Sequence, residues 1–430
     1  MQVAFDISAL DPNFKSHSHR GIGRYVDRLQ NSLGLLKSDE LSVSWFNHHQ
    51  LLSGGIMPKI IGTLPFGRTT IRQQALYPLR LAGMALRDVD FVHFPAHMDG
   101  PAWSAKPYVL TLLDLIPLIL KDLYRAHRPN WRYNFARWLE NTSIVNASYI
   151  LTISETTAID AERILGIPRE RIAVTACGVD ECFTNNFASR NIGHAERGKR
   201  LREKLGLPPK RPILLYVGGH DERKNTPRIV EIGREVLDSC GSMNVEPPIL
   251  VFAGKISDGR EKESITTALR NFAMAADTFL LGFVSDEDLL DLYSEAAVFL
   301  FPSLYEGFGL PPLEAMATGL PVVSSNRGAL PEVLGEAALF IDPEDVIQGA
   351  RRVLSILSDS AMASNLSTAG FERAKLFSWN RTAATTLAAY KEVQRVLTTK
   401  NEPRRISQVI KKHRAKKGSE DAPCCVGLDL

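Results

Sequence analysis

The fold is decided by the stretch Phe299-Leu-Phe-Pro-Ser-Leu-Tyr-Glu306-Gly-Phe-Gly-Leu-Pro-Pro-Leu-Glu314-Ala-Met-Ala317. An apolar, strand-like run opens it, a glycine-bearing loop follows, and two prolines precede a segment of good helix formers. We expect 307–310 to form the loop and Glu314 to lie in the first helical turn. A glycine-rich loop that leads into a helix N-terminus presents backbone N–H groups and favours an anion.

Two carboxylates, Glu306 and Glu314, flank this anion-binding loop. Carboxylates repel phosphate, but they accept hydrogen bonds from hydroxyls well. The stretch therefore fits a ligand with phosphates at its centre and polyols on either side, which is the layout of a nucleotide sugar. A glutamate pair at this spacing often marks only a solvated face, and its setting between strand, glycine loop and helix favours the functional interpretation.

The stretch resembles the Glu-x7-Glu signature of the retaining glycosyltransferases of family 4. The match includes the spacing from Glu306 to Glu314, the Gly-Phe-Gly-Leu-Pro between them, and the following Gly319-Leu-Pro-Val-Val. The resemblance extends over the chain up to about Leu397. It implies the GT-B fold, an α/β architecture in which two Rossmann-like domains, each a doubly wound parallel sheet, face a central cleft.

Length and composition agree with a two-domain globular protein. The 430 residues exceed one ordinary domain, and the five cysteines form neither a disulfide framework nor a zinc pattern, so we expect reduced thiols. The N-terminus lacks signal-peptide features, and the most apolar window, 108–120, is too short to span a membrane. We expect a cytoplasmic protein that is soluble or at most peripheral on the inner face of the cell membrane.

Alternating strands and helices in both halves predict two parallel-sheet domains. The predicted parts are an acceptor-binding domain at 1–187, a linker at 188–211, a nucleotide-sugar-binding domain at 212–378, a helix at 379–398 and a tail at 399–430. The resemblance implies that the helix crosses back to the first domain. The tail is basic, and we expect it to be solvated and disordered, with a polybasic membrane anchor as the alternative.

Residues that bind the nucleotide-sugar donor are predicted in the loop after the first strand of the second half. Gly218-Gly219 and then Arg223-Lys224 come after an apolar strand, where ligands of parallel sheets bind. The resemblance implies that Lys224 grips the donor diphosphate, and Arg223 stands in for an arginine that the family usually has a few residues earlier. Because no metal site is predicted, these fixed cations would stabilise the leaving group.

The resemblance implies two overlapping sets of donor-side residues. The catalytic set is Glu306, Asp114, Arg223 and Lys224. The donor-binding set is Gly23, Gly218, Gly219, Arg223, Lys224, Phe283, Val284, Glu306, Phe308, Gly309, Leu310 and Glu314.

The acceptor side is predicted from the first half. Arg20-Gly21-Ile-Gly23-Arg24 opens a helix, and its glycines let a ligand approach the backbone, although a tight turn explains them equally well. A dinucleotide fingerprint is excluded because the third glycine is missing. In the resembled family this loop faces the cleft, so Arg20, Gly21 and Arg24 are assigned to the acceptor side. His97 joins them from the loop after another predicted strand.

One cleft position departs from the family pattern. A buried strand ends at Leu113-Asp114, where the family usually has His-Asp and the histidine bonds the donor sugar. Leu113 replaces that histidine, and for Asp114 a catalytic and a turn-forming role stay equally open. Asp88-x-Asp90 predicts a strand-entry turn rather than a metal site, and we expect a structural role for His93.

The segment 121–140 is rich in arginine and aromatic residues. Its members Trp131, Phe135 and Trp138 fall at helical spacing, which predicts a core-facing helix with a basic outer face. Contact with anionic lipid head groups is the second interpretation. Binding to nucleic acid ranks last, and we expect none.

The resemblance implies a retaining, metal-independent transferase without a resident cofactor, which moves a hexose from a nucleotide sugar to a glycan or lipid-linked oligosaccharide. Glu306 would hold donor-sugar hydroxyls and Glu314 the ribose diol. The Gly-Ile-Gly-Arg-Tyr run resembles bacterial mannosyltransferases of O-antigen (lipopolysaccharide) and exopolysaccharide assembly, so GDP-mannose is the expected donor. Two alternatives remain: a degenerate GT-B scaffold, motivated by Leu113, and an epimerase or hydrolase acting on the nucleotide sugar itself.

Overall fold

A computed structural model describes most of the chain. It covers residues 1–11, 21–36, 40–47, 88–104, 106–125, 131–188, 194–219, 221–254 and 260–399. The predicted acceptor-side residue Arg20 and the basic tail from Lys400 lie outside the described residues.

The described strands form two parallel six-stranded sheets, which confirms the predicted α/β class. The strands are β1 Gln2–Asp6, β2 Ser42–Phe46, β3 Phe91–Phe94, β4 Tyr108–Leu112, β5 Tyr149–Thr152, β6 Ile172–Val174, β7 Ile213–Val217, β8 Ile249–Ala253, β9 Thr278–Gly282, β10 Val298–Phe301, β11 Val322–Ser325 and β12 Leu339–Ile341.

Strand order gives each sheet a switch point. The first sheet runs β2-β1-β3-β4-β5-β6 and the second runs β12-β11-β10-β7-β8-β9. The order reverses between β1 and β3 in one sheet and between β7 and β10 in the other. Ligands of such sheets bind beyond the carboxyl ends of the strands at this point. The loops after β7 and β10 carry the predicted donor residues, so the fold brings them to one place.

Helices connect the strands and cover both sheets. The described helices are α1 Ile22–Leu35, α2 Ile116–Ile119, α3 Lys121–Arg125, α4 Trp131–Asn146, α5 Glu155–Leu165, α6 Glu181–Ala188, α7 His194–Leu205, α8 Thr226–Met243, α9 Arg260–Asn271, α10 Asp286–Glu295, α11 Leu310–Ala317, α12 Leu330–Leu334, α13 Val346–Ser358, α14 Ser360–Ala374 and α15 Trp379–Thr399.

Burial explains why the strand sequences are apolar without alternation. All five residues of β7 and all five of β8 are buried, because helices cover both faces of a parallel sheet. Strand entry is fixed by Asp90, whose Oδ2 accepts a hydrogen bond of 2.8 Å from the Gln2 N–H. This contact agrees with the predicted strand-entry turn.

Each six-stranded sheet and its covering helices form one unit of the structure. The chain crosses between the two units twice. The prediction assigned α6 to the first domain, but this helix packs against α10, α11 and α14 around the second sheet. The ring of Phe183 on α6 meets that of Tyr293 edge to face at 5.8 Å. At the C-terminus α15 returns and packs on α1 and β5 of the first unit. The exact domain limits stay predictions.

His93 ties α15 to the first sheet. It is fully buried, with Nδ1 2.6 Å from the Tyr390 hydroxyl and Nε2 2.8 Å from Thr111 Oγ1. Burial lowers the pKa of His93 to about 3, and the attraction of Asp6 offsets only part of this effect. The imidazole is therefore neutral in the folded protein, which agrees with the predicted structural role.

We expect this histidine to make stability depend on pH. The unfolded chain protonates His93 below pH 6.5, whereas the folded protein does so only near pH 3, so stability is lost as pH falls between these values. The loss is about 2 kcal/mol at pH 5. Thermal unfolding of wild type and His93→Gln, whose amide can bond the same partners, should show a smaller acid loss in the variant. Equal losses would contradict this assignment.

The core-facing prediction for α4 is wrong. Trp131, Phe135 and Trp138 are 58%, 39% and 59% exposed, and the buried side of the helix carries Leu139 and Ile144 instead. Helical spacing shows that residues share a face, but it does not tell which face is covered. Within the described ranges, no helix has both the length and the apolar character needed to cross a membrane.

Candidate active site

The loop between β10 and α11 is shaped by glycine. Gly309 precedes the helix with φ +107°, and a Cβ there would lie 2.6 Å from Leu330 Cδ2. The helix begins at Leu310, so Glu314 is its fifth residue and lies in the second turn. The prediction of a first-turn position is wrong, because the two prolines occupy the second and third helical positions. Glu314 is nevertheless 5% exposed and faces inward.

Gly307 carries this loop against the first unit. A Cβ on Gly307 would lie 2.3 Å from the Leu113 carbonyl oxygen and 2.9 Å from Asp114 Cβ. The Ser154 hydroxyl donates a hydrogen bond of 2.8 Å to the Gly307 carbonyl. Only glycine allows this close approach, so the loop closes one wall of the cleft between the units.

Gly307→Ala is expected to lower kcat/KM about tenfold to a hundredfold, because the new methyl group pushes the loop away from Leu113 and misplaces the cleft residues. Steady-state transfer assays check this. Gly34→Ala is the matched control, since no atom of the residues that the structure describes lies within 4 Å of its added Cβ. Equal activity of the two variants would show that the contact does not position the site.

Glu306 is the centre of a buried ionic cluster. Its Oε1 lies 2.6 Å from Lys224 Nζ and its Oε2 lies 2.5 Å from Arg223 Nη1. Arg223 also donates to the Tyr305 carbonyl at 3.2 Å, and Lys224 Nζ lies 4.9 Å from the centre of the Phe301 ring. The structure therefore brings Glu306 together with Lys224, which lies 82 positions earlier in the sequence, and with its neighbour Arg223.

The cluster controls ionisation of its members. Burial would raise the pKa of Glu306, but the attraction of Arg223 and Lys224 outweighs it and lowers the pKa to about 2. Burial and the neighbouring Arg223 lower the pKa of Lys224 despite the attraction of Glu306. Burial opposes the charge of Arg223, but Glu306 and two aspartates raise its pKa overall. The carboxylate is ionised, and the site combines one anion with two nearby cationic groups.

Glu314 is held by the first unit. Its Oε1 lies 2.7 Å from Arg24 Nη1, and the Tyr293 hydroxyl donates to its Oε2 at 3.1 Å. The sequence assigned Arg24 to the acceptor side, and the structure places its guanidinium on a predicted donor-binding carboxylate. Arg24 also lies 5.2 Å from the Phe183 ring centre. It spans from α1 to α11 across the two units.

Asp180 joins this bridge, and sequence reasoning did not single it out. Its Oδ2 lies 2.7 Å from Arg24 Nη2 and 3.0 Å from Arg28 Nε, and its Oδ1 accepts a 2.6 Å hydrogen bond from Trp379 Nε1. Burial would raise the pKa of Asp180, but the two arginines lower it. The available signal was the aspartate itself, a few residues before the predicted end of the first domain at 187.

Three more contacts across the cleft were missed. The Tyr124 hydroxyl donates to Asp221 Oδ1 at 2.7 Å, next to Arg223. The Tyr305 hydroxyl bonds Asp160. The third contact is made by the Glu332 carboxylate, which accepts the N–H groups of 155 and 156 at the start of α5. Their partners lie 97 to 177 positions apart in sequence, so no local pattern predicts them.

The cleft wall at Leu113 has a defined structure. Leu113 is buried, and its N–H donates to His97 Nδ1 at 3.3 Å, while His97 Nε2 lies 3.0 Å from Glu140 Oε1. His97 is thus buried behind the wall. Asp114 Oδ1 accepts the Ile116 N–H at 3.0 Å at the start of α2. This contact is a turn-forming one, and a catalytic role for Asp114 stays a prediction.

The glycine positions fit a close-packed cleft. Gly21 precedes α1 with φ +59°, and Gly23 is buried on that helix. A Cβ on Gly218 would lie 2.3 Å from the Tyr216 hydroxyl, whereas a Cβ on Gly219 would meet no atom of the described residues within 4 Å.

The aromatic and apolar donor-side candidates differ in exposure. Val284 and Phe308 are buried, and the Phe308 ring packs edge to face on Phe377 at 5.8 Å. Phe283 is exposed and follows β9 directly. Among the described residues no group of three or more His, Cys, Asp or Glu side chains could hold a metal ion.

Comparison with known proteins identifies the family. The family model "Glycosyltransferase Family 4" matches residues 21–182, and the model "Glycosyl transferases group 1" matches residues 198–373. O-antigen chain mannosyltransferase B of Escherichia coli is 30% identical over 268 residues, which are 62% of this chain and 66% of that protein. Serotype-specific mannosyltransferase WbdA of Escherichia coli is 32% identical over 294 residues, 68% of this chain and 34% of that protein. The chain thus spans about two thirds of one relative and a third of the other.

A solved structure supports the fold. Sucrose-phosphate synthase from Thermosynechococcus elongatus superposes with a TM-score of 0.67 at 22% identity, over 91% of this chain and 99% of that chain. This likeness confirms the GT-B arrangement of two parallel-sheet units. With two glycosyltransferase models matching consecutive parts of the sequence, the chain belongs to the family 4 (group 1) glycosyltransferases of the GT-B fold.

Proposed function

We propose that the protein is a retaining glycosyltransferase that moves a hexose from a nucleotide sugar to a glycan or lipid-linked oligosaccharide. The observation that carries this proposal is the buried cluster of Glu306, Arg223 and Lys224 at the switch point of the second sheet. Two cations beyond the carboxyl end of β7 suit a diphosphate, and Glu314 lies on the helix that follows β10, for a ribose diol.

In this mechanism Arg223 and Lys224 bind the donor diphosphate and stabilise the charge that grows as it leaves. Glu306 keeps both cations in place and accepts hydrogen bonds from donor-sugar hydroxyls. A ribose diol on Glu314 uses the carboxylate oxygens that Arg24 and Tyr293 contact in this structure. Donor binding is therefore coupled to the contact between the two units.

The bond changes follow a front-side displacement. The acceptor hydroxyl oxygen bonds the anomeric carbon on the face from which the diphosphate leaves, and the carbon–oxygen bond to phosphate breaks. Because the new bond forms on the same face from which the diphosphate leaves, the configuration at the anomeric carbon is retained, and the acceptor proton passes to the leaving phosphate oxygen. No side chain is assigned as a covalent nucleophile and no resident metal is invoked, because the fixed cations carry the leaving-group charge.

Mannose is the proposed sugar and GDP-mannose the proposed donor. The support is the Gly-Ile-Gly-Arg-Tyr run at 21–25 and the two relatives, whose names describe O-antigen and serotype-specific mannosyltransferases. A lipid-linked acceptor would place the reaction at the cytoplasmic face of the cell membrane, with the protein bound peripherally.

A donor panel tests the proposal. Nucleoside diphosphate release is measured for GDP-mannose, UDP-glucose and UDP-galactose, with and without a lipid-linked oligosaccharide acceptor. We expect acceptor-dependent release that is fastest with GDP-mannose. Donor binding without turnover would instead identify a scaffold, and turnover that needs no acceptor would identify an epimerase or hydrolase.

A further inference from the structure

The strongest unexplained feature of the surface is one face of α4. Trp131, Phe135 and Trp138 lie four and three residues apart and are each 39% exposed or more. The rings of Phe135 and Trp138 stack at 5.8 Å between centroids with an interplanar angle of 22°. They form an ordered aromatic stripe on the outside of the helix.

Two further apolar side chains are exposed in the segment that packs on α4. Met98 and Trp103 are 37% and 50% exposed. The 3₁₀ turn that contains Met98 packs on α4, and Asn146 Nδ2 at the end of α4 donates to the Ala102 carbonyl at 2.8 Å. We call these five side chains the aromatic surface: Met98, Trp103, Trp131, Phe135 and Trp138.

The aromatic surface is not part of the core. The other side of α4 is buried through Leu139 and Ile144, so the helix is held without it. Three of the five tryptophans of the chain lie on this surface, although tryptophan is usually well buried. A cluster of exposed large apolar side chains marks a site of interaction with another molecule.

Residue type and charge favour a membrane as the partner. Tryptophan is enriched where a protein meets the boundary between lipid and water, because its ring is apolar and its N–H is polar. The segment 121–140 contains five Lys or Arg and two acidic residues, a net charge of +3. Of the two acids, Glu140 is turned inward against His97 and Arg137. The net charge of this segment of the sequence therefore suits anionic head groups.

The position of α4 links this surface to the cleft. Glu140 on α4 holds His97, His97 accepts the Leu113 N–H, and the Leu113 carbonyl oxygen abuts Gly307. α4 thus backs the wall that faces the predicted donor loop. A lipid-linked acceptor, which is part of the proposed function, would reach the cleft from this side.

We propose that the aromatic surface docks the protein on an anionic membrane. Trp131, Phe135 and Trp138 enter the interfacial layer, and the net positive charge of the segment attracts the anionic head groups. Docking itself does not depend on the transfer reaction, so the two proposals can fail separately.

The test is co-sedimentation of the full chain with vesicles of phosphatidylcholine, with and without phosphatidylglycerol, in the absence of donor and acceptor. We expect wild type to bind the anionic vesicles, and Phe135→Ser/Trp138→Ser to bind with a partition coefficient about tenfold to a hundredfold lower. Met243→Ser/Ile347→Ser, which removes two exposed apolar side chains of the second unit, is the matched control and should bind like wild type.

Thermal unfolding of each variant checks that it is folded. We expect unfolding temperatures like that of wild type, because the replaced side chains are exposed. Equal binding of Phe135→Ser/Trp138→Ser and wild type would overturn the proposal and point to the basic tail. Absence of wild-type binding to anionic vesicles would also overturn it and favour a protein partner. A blue shift of tryptophan emission on vesicle addition, smaller in the double variant, should accompany binding.

Discussion

Lys224→Ala is expected to lower kcat for sugar transfer by about a hundredfold to a thousandfold. Lys224 Nζ lies 2.6 Å from Glu306 at the carboxyl end of β7, where the donor diphosphate is proposed to bind. Removing one fixed charge that stabilises a transition-state anion costs a factor of this size. Steady-state kinetics with saturating donor measure it, and a binding titration with the nucleoside diphosphate reports the loss of ground-state affinity.

Lys204→Ala is the matched control for this variant. Lys204 also pairs with a carboxylate, Asp288, at 2.7 Å, but its side chain is 63% exposed. We expect its activity to equal that of wild type. If Lys224→Ala retained wild-type kcat and nucleotide affinity, the diphosphate would not bind at this cluster.

Glu306→Ala is expected to destabilise the protein by about 3–5 kcal/mol, because it leaves Arg223 and Lys224 buried together without their carboxylate. It should also abolish measurable transfer. Chemical denaturation measures the free energy of unfolding. Glu306→Ala/Lys224→Ala should lose less stability than the sum of the two single variants, since the double change removes one of the two repelling cations.

The control and the pH dependence sharpen this prediction. Glu372→Ala breaks an exposed ion pair with Lys375 and should change stability by less than about 0.5 kcal/mol. Because the pKa of Glu306 is about 2 when folded and 4.5 ordinarily, its contribution is present above pH 4.5 and is lost as pH falls toward 2. The stability losses of Glu306→Ala and Lys224→Ala could instead add up in the double variant, and wild type could keep its stability as pH falls from 4.5 toward 2. These two results together would show that the charges of the cluster are not coupled.

The donor half could be predicted from local sequence because its elements are contiguous. The apolar run before Pro302 is β10, the two prolines open α11, and the Gly-Gly turn follows β7. Parallel strand order then brings these separate loops to one switch point. Glu314 was misplaced by a turn, because the helix begins at Leu310, before both prolines, and sequence alone does not fix a helix start to the residue.

The contacts between the units could not be predicted in this way. Arg24 and Glu314 lie 290 positions apart, and Asp180 and Trp379 lie 199 apart, so each pairing depends on how the two units pack. The exposed face of α4 was missed for a related reason. Periodicity identified Trp131, Phe135 and Trp138 as one stripe, but only the packing of Leu139 and Ile144 decides that the stripe faces outward.

A crystal structure of the protein with GDP tests the central claim most directly. We predict that the diphosphate contacts Lys224 Nζ and Arg223, and that the ribose diol donates hydrogen bonds to Glu314. The diol would then replace Arg24 on the Glu314 carboxylate or share the carboxylate with it. GDP bound away from β7 and β10, or a ribose that does not reach Glu314, would contradict the proposed donor site.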